Sequence, residues 1–286
     1  MIVVLLGKAG AGKTTVAKEM EKIVKDSFVI DGDELRLETK NNDIGVSGRE
    51  SNMHLGFSRA RRLSDLGFTV FVSMQAPIRE IREQYLTKYD KQVIIKNIGD
   101  NPKDDLGFNE NFNPDYSDVE NIVCVSFKDG TSDFCAQQFY DFIFPKVLVP
   151  ARFQTMHTGH KVIFEEARRI SPNVTVALRV DDNDLIPLEQ NMELIQEYAS
   201  YYNINVIKSP DINEDWGDFI SKFDIFVQGN PVVIEKFTGT GCKLHFVPRY
   251  GNVSATMLRE SIKNGGNGSN KIDASTLKLT KESLNC

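Results

Sequence analysis

The sequence predicts an α/β protein of two domains, each a parallel sheet covered by helices. Three observations carry that prediction. Short β-rich runs alternate with amphipathic helical stretches along the chain, the pattern of βαβ units. The alternation closes near residue 143 and restarts at Lys146. Each series opens with an apolar strand that feeds a helix through a stretch suited to phosphate: GKAGAGKT at residues 7–14 and ARFQTMHTGHK at residues 151–161.

In chain order, residues 2–6 (IVVLL) are apolar without alternation and read as a strand buried on both faces. Residues 14–24 have helical spacing. Runs at 28–30, 69–73, 92–95 and 122–126 read as further strands, with helices over 51–66 and 78–89. A helix over 131–143 closes a first domain, 1–145. In a second domain, 146–265, KVLVP is a strand, 157–169 a helix, 174–180 a strand and 188–202 a helix. Strands follow at 205–208, 225–228 and 243–247, and 254–264 is the last helix. Residues 266–286 begin in the glycine-rich stretch GGNGSN and then turn polar without a clear apolar face; they are expected to form a loose, flexible tail.

The bulk numbers bound the function. Of the 286 residues, 41% are hydrophobic and 26% charged, enough for two cores in a soluble protein. The formal net charge of −6 argues against a nucleic-acid partner held through its phosphates, but leaves room for a local anion site. The opening MIVVLL is short and has no basic leader, so it reads as a strand rather than a secretion signal. No apolar run reaches the roughly 18 residues of a membrane span. Cys124, Cys135, Cys242 and Cys286 lack metal-ligand spacing, which predicts a reduced, cytoplasmic protein with free thiols.

GKAGAGKT satisfies G-x-x-x-x-G-K-[ST] between a strand and a helix, the context that motif requires. Gly7, Lys8, Ala9, Gly10, Ala11 and Gly12 can turn backbone N–H groups around a polyphosphate, and the helix start adds positive potential. Lys13 would bridge the β- and γ-phosphates of ATP, with Thr14 on Mg²⁺ and Thr15 beside it. IDGDELR (30–36) follows the second strand, on the edge where ligands of a parallel sheet sit. Asp31 and Asp33 there could serve Mg²⁺, through Asp33, and accept the proton of an attacking hydroxyl. They could equally form a turn and a helix cap.

Residues 1 to about 142 resemble the adenylyl-sulfate kinases. The likeness rests on Gly7–Thr14, on DGDELR, on DIGVSGRESN (43–52) and on LSDLGFTVFVSMQAPIREIR (63–82). It implies a P-loop NTPase-type kinase fold that transfers phosphate from ATP to a nucleotide-like hydroxyl. By that resemblance Asp31 and Asp33 line the acceptor hydroxyl and metal, while Arg36, Arg49 and Asn52 hold the acceptor's phosphosulfate end. Ser73, Pro77 and Arg79 fall on the family's S-x-x-x-P-x-R segment. Val46 stands in place of an aromatic, and His54 in place of an arginine. An acidic stretch, 97–116, replaces a basic lid.

In the second stretch, His157 and His160 lie three residues apart at a helix start and share a face. Thr158 and Gly159 are small enough to admit phosphate, to which two imidazoles can donate. VSATMLRE (253–260) opens the last helix, where Ser254 or Thr256 can cap and Arg259 sits one turn inside. Together these resemble the nucleotidylyltransferases with H-x-G-H and I-S-x-T-x-x-R motifs, nearest the archaeal-type nicotinamide-mononucleotide adenylyltransferases. That likeness runs from about 149 to 264 and includes PDINEDW (210–216) and GNPVV (229–233). It implies a Rossmann-like fold in which Arg152, Phe153, His157, Gly159 and His160 surround a triphosphate. By the same resemblance Gly229 and Asn230 border the base, and Ser254, Thr256 and Arg259 grip the pyrophosphate. Trp216 falls where the acceptor's base is expected, unless it simply packs. Thr155 replaces the family's proline.

The combined expectation is a bifunctional enzyme acting on small-molecule nucleotides, with Mg²⁺ and with ATP, or CTP in the second domain. Alternatives are a nicotinamide riboside kinase fused to its adenylyltransferase, or a transferase whose first domain binds nucleotide only as a regulator. The resemblance leaves a homo-oligomer open.

Overall fold

A computed structural model describes residues 1–97, 114–128, 131–132, 134–179, 184–210, 216–236, 238–239, 241–248, 254–266, 272 and 274–284. The chain divides into two compact units, Met1–Ile143 and Phe144–Cys286.

The first unit begins with β1 (Ile2–Leu6), every residue of which is buried. A strand apolar on both faces belongs in the middle of a parallel sheet, and β1 occupies the central position. Then come α1 (Lys13–Ile23), β2 (Ser27–Asp31), α2 (Gly32–Thr39), α3 (Val46–Asp65), β3 (Thr69–Ser73), α4 (Arg79–Tyr85), β4 (Lys91–Asn97) and β5 (Ile122–Val125). The strands are all parallel, in the order β2-β3-β1-β4-β5. The connection from β1 runs toward β2 and that from β3 runs the other way, toward β4, so the loops after these two neighbouring strands diverge and open a crevice at the carboxyl edge. Phe57, Ala60 and Met53 of α3 seal one face against Ile2, Val4, Val70 and Val72.

The second unit repeats the alternation: β8 (Val147–Ala151), α6 (Thr158–Ile170), β9 (Val174–Leu178), α7 (Leu188–Tyr201), β10 (Asn205–Lys208), α8 (Trp216–Ile220), β11 (Ile225–Gln228), α9 (Pro231–Lys236), β12 (Lys243–Phe246) and α10 (Ala255–Lys263). Its sheet is also parallel, ordered β10-β9-β8-β11-β12, the Rossmann arrangement, with the switch between β8 and β11.

Several sequence expectations change. The helix expected over 131–143 is shorter: β6 (Phe127–Lys128) and β7 (Thr131–Ser132) form an antiparallel pair, and α5 (Ala136–Ile143) follows. The helix expected from residue 51 starts five residues earlier, because Gly45 takes the cap position and Gly48 lets the preceding loop cross close. The tail expected to be loose contains α11 (Ala274–Leu284), with Thr276 and Thr280 buried one turn apart. Most of the acidic stretch 97–116, most of PDINEDW and Val253 lie outside the described residues. No helix among the described residues is long and apolar enough to cross a membrane.

Candidate functional site

In the first unit the chain leaves β1 through Gly7, Gly10 and Gly12, all at positive φ (136°, 75° and 92°). A Cβ on Gly7 would meet the Ile95 carbonyl oxygen at 2.4 Å, so only glycine lets this turn lie against β4. Gly12 caps α1 without a side-chain hydrogen bond, which leaves the first N–H groups of that helix open to an anion. Lys13 folds back over the turn, its Nζ donating to the carbonyls of Gly7 (3.0 Å) and Lys8 (2.6 Å). Burial lowers its pKa to about 8, against the pull of Asp33 and Asp31.

Thr14 Oγ1 donates to Asp31 Oδ2 (2.6 Å) and sits 3.0 Å from Ser73 Oγ. The three groups come from α1, β2 and β3, joined at the carboxyl edge of the sheet. Asp31 also caps α2, its Oδ1 accepting from the amides of Asp33 (2.9 Å) and Glu34 (3.2 Å). The sequence reads Thr14 and Asp33 as metal ligands; in the structure Thr14 is hydrogen-bonded to buried Asp31, and Asp33 is exposed at the cleft. Asp31 thus accepts through both carboxylate oxygens, Oδ1 from the cap amides and Oδ2 from Thr14.

These residues line a cleft of about 600 Å³ whose far wall carries Arg36, Arg49 and Asn52. Arg36 donates to the carbonyls of Asp43 (2.6 Å) and Asn41, and Arg49 to Ile44 O (2.8 Å) and Gln75 Oε1. Burial and the neighbouring Arg36 lower the pKa of Arg49, so the two cations stand close enough to repel. An anion between them would relieve that. Asn52 donates to Gly32 O at 3.0 Å. Arg79 does not line the cleft; its exposed guanidinium pairs with Glu83 at 2.7 Å.

Sequence reasoning missed Gln75, Tyr116 and Arg82. Tyr116 donates its hydroxyl to Gln75 O, and burial pushes its pKa up to about 12. None of the three belongs to a spacing pattern; folding alone brings Tyr116 to the β3 loop.

In the second unit, residues after β8 and β11 meet at the switch point. Gln228 binds both strand ends: Nε2 donates to Pro150 O (2.8 Å), and Oε1 accepts from the amides of Gly229 (2.8 Å) and Asn230 (3.3 Å). His157 caps α6, its Nδ1 accepting from Gly159 N at 3.1 Å. That bond leaves the imidazole proton on Nε2, as a donor. A Cβ on Gly159 would lie 2.9 Å from His157 Cε1, which explains the glycine between the histidines. The His160 ring stacks on His157 with centroids 3.9 Å apart, and the ring of Phe153, a residue at φ 48°, meets His160 in a T-shaped contact with centroids 4.8 Å apart. Burial lowers the pKa of His157 to about 4, and burial together with neighbouring His157 holds that of His160 well below the ordinary imidazole value. Both rings are therefore neutral at physiological pH.

Arg152 is held by Asp184, Nε to Oδ1 at 2.7 Å. Arg259 donates to Thr256 Oγ1 (3.4 Å), and its pKa is lowered by burial and by the nearby Arg152. Ser254 caps α10, accepting from Met257 N at 3.2 Å. Trp216 packs on the cluster of Leu148, Ala177, Ile220 and Phe226, edge-on to Phe219. That is the packing role the sequence also allowed. Asp184 and Gln228 carry no sequence signal that separates them from ordinary loop and strand residues.

A glycine turn between a central parallel strand and an uncapped helix, with a lysine folded over it, defines the P-loop class. Within that class, residues 1–99 match the family model of adenylylsulphate kinase, so the N-terminal part of the chain is an adenylylsulphate kinase-like domain. Among solved structures the chain is similar to the Mycobacterium tuberculosis APS kinase CysC in complex with AMPPNP and APS, at 24% identity and a TM-score of 0.31, over 34% of this chain and 62% of that one. A cysteine-to-alanine mutant of the same enzyme matches at 23% identity and a TM-score of 0.32, over 43% of this chain and 84% of that one. The chain thus spans less than two thirds of the first of these relatives. No curated protein matches it.

Proposed function

We propose that the chain is a bifunctional transferase. Its first domain phosphorylates a hydroxyl of an anionic, nucleotide-like acceptor from ATP. Its second moves a nucleotidyl group from ATP or CTP to a phosphomonoester and releases pyrophosphate. The observation that supports this reading is that polar and cationic side chains gather at the carboxyl edge of each sheet: Thr14 with Asp31 and Ser73, near Lys13, in one unit, and the stacked His157 and His160 and the neighbouring Arg152 and Arg259 in the other.

In the first domain, the turn and Lys13 hold the β- and γ-phosphates. The hard oxygens of Thr14, Asp31 and Ser73 suit Mg²⁺, which needs only one or two carboxylates beside phosphate and water. Mg²⁺ there would neutralise phosphate charge. Asp33, exposed at the cleft, accepts the proton of the attacking hydroxyl, and Arg36 and Arg49 hold the acceptor's anionic end. In the second domain the acceptor's phosphate oxygen bonds to the α-phosphorus as the bond to the β-phosphate oxygen breaks. Two neutral imidazoles donate to the α-phosphate as charge accumulates on it. Arg259, Arg152, Ser254 and Thr256 take the departing pyrophosphate. No covalent intermediate is required.

The test is to incubate the full chain with Mg²⁺, ATP or CTP and a panel including adenylyl sulfate, nicotinamide riboside and nicotinamide mononucleotide, following ADP and pyrophosphate. Acceptor-dependent ADP and pyrophosphate are expected. Neither product above background, with Lys13→Ala and His160→Ala behaving as the parent, overturns the proposal. ATP binding without acceptor-dependent ADP would reduce the first domain to a regulator.

A further inference from the structure

The side chain of Arg82 is fully buried, yet it does not line the cleft. Its guanidinium ties three separate stretches of chain together. Nη1 donates to Ala76 O (2.8 Å), Nη2 to Asp115 O (2.8 Å) and to the Asp118 carboxylate, and Nε to Gln92 Oε1 (2.7 Å). Gln92 Nε2 closes the set on Asp118 Oδ2 at 3.0 Å. The Tyr116 ring lies 5.5 Å from the guanidinium carbon.

Of the groups Arg82 grips, Ala76 lines the cleft, as does its neighbour Gln75. Ala76 sits at φ 40°, a left-handed conformation costly for a residue with a Cβ, which persists only where its surroundings impose it. Next to Ala76, Gln75 accepts from Arg49 through its side chain and from Tyr116 through its carbonyl. Asp115 N donates to Pro77 O at 3.1 Å. The β3 loop and the 115–118 turn are thus bonded to each other, with the buried cation between them. A lysine could not replace it, because one ammonium cannot span this planar fork of acceptors.

We infer that Arg82 is the positioning residue of the acceptor wall: with Asp118 it holds Ala76 in its left-handed conformation and so places Gln75 to orient Arg49. Its effect on acceptor binding rests on the kinase reading above; its effect on the wall does not.

The experiment uses the full chain and the variants Arg82→Lys, the milder Asp118→Asn, and Arg82→Lys combined with Ala76→Gly. Hydrogen–deuterium exchange reads the wall through the amides of Asp115, Ser117 and Val119, with the amides of α1 as reference. Calorimetry reads dissociation constants for adenylyl sulfate and for Mg·ATP. Both single variants are expected to speed exchange at the three wall amides, about tenfold in Arg82→Lys, while α1 is unchanged. They should weaken adenylyl sulfate about tenfold and leave Mg·ATP within twofold. Ala76→Gly should recover part of the adenylyl sulfate affinity, since glycine holds positive φ without a clamp. Unchanged exchange at the wall, exchange raised equally in α1, or equal loss for both ligands overturns the inference. Should the parent not bind adenylyl sulfate, the kinase reading loses its acceptor, and the exchange result still decides the clamp.

Discussion

Lys13 sits buried among backbone carbonyls with a pKa near 8, well below the 10.5 of a free lysine. Bound phosphate would restore the charged form, so above pH 8 binding requires proton uptake. ATP affinity should be flat below pH 8 and fall by up to tenfold per unit above it. Calorimetric titration between pH 6.5 and 9.5 checks this; a flat profile throughout would contradict it. His157 has the same cause with a different window. Its folded-state pKa of about 4 lies below the ordinary imidazole value of 6.5, so the unfolded chain takes the proton first. Its contribution to stability is complete above pH 6.5 and is lost as the pH falls toward 4. Thermal unfolding across that range should show a shallower acid dependence in His157→Asn. Gly159→Ala, which drives a Cβ against the His157 ring, should lower pyrophosphate release on the order of 10²-fold while leaving ADP formation intact.

At the scale of elements, both candidate sites use helices that start at a strand end. α1 starts uncapped on glycine, whereas α6 and α10 are capped by His157 and Ser254. Capping by an imidazole spends its Nδ1 and thereby fixes the donor at Nε2. The turn before α1 tolerates no side chain at its first position. Gly7→Ala should destabilise the first unit by roughly 2–4 kcal/mol, from positive φ and overlap with β4. Denaturant unfolding measures it. Periodicity revealed most of the long elements and missed several others. The pair β6–β7 is too brief to alternate. α11 was unreadable for a different reason: its buried positions are Thr276 and Thr280, and hydropathy does not mark threonines.

For the whole molecule, the proposed function, with one reaction in each of the two units, predicts separable activities. Lys13→Ala should cut ADP formation on the order of 10²–10³-fold and leave pyrophosphate release unchanged, and His160→Ala should do the reverse. Coupled loss in both single variants would mean that the chain houses one reaction.

By itself the sequence determined the α/β class, the two series of βα units and the strand-to-helix turns that open them, because strand and helix periods, glycine turns and capping residues are local. Only the tertiary structure decided that Asp31, not Asp33, joins Thr14, that Asp184 holds Arg152, and that Arg82 ties the β3 loop to residues 115–118. Those pairings span 17 to 36 positions of chain, and no local pattern records which distant carboxylate a buried donor meets once the sheet has closed.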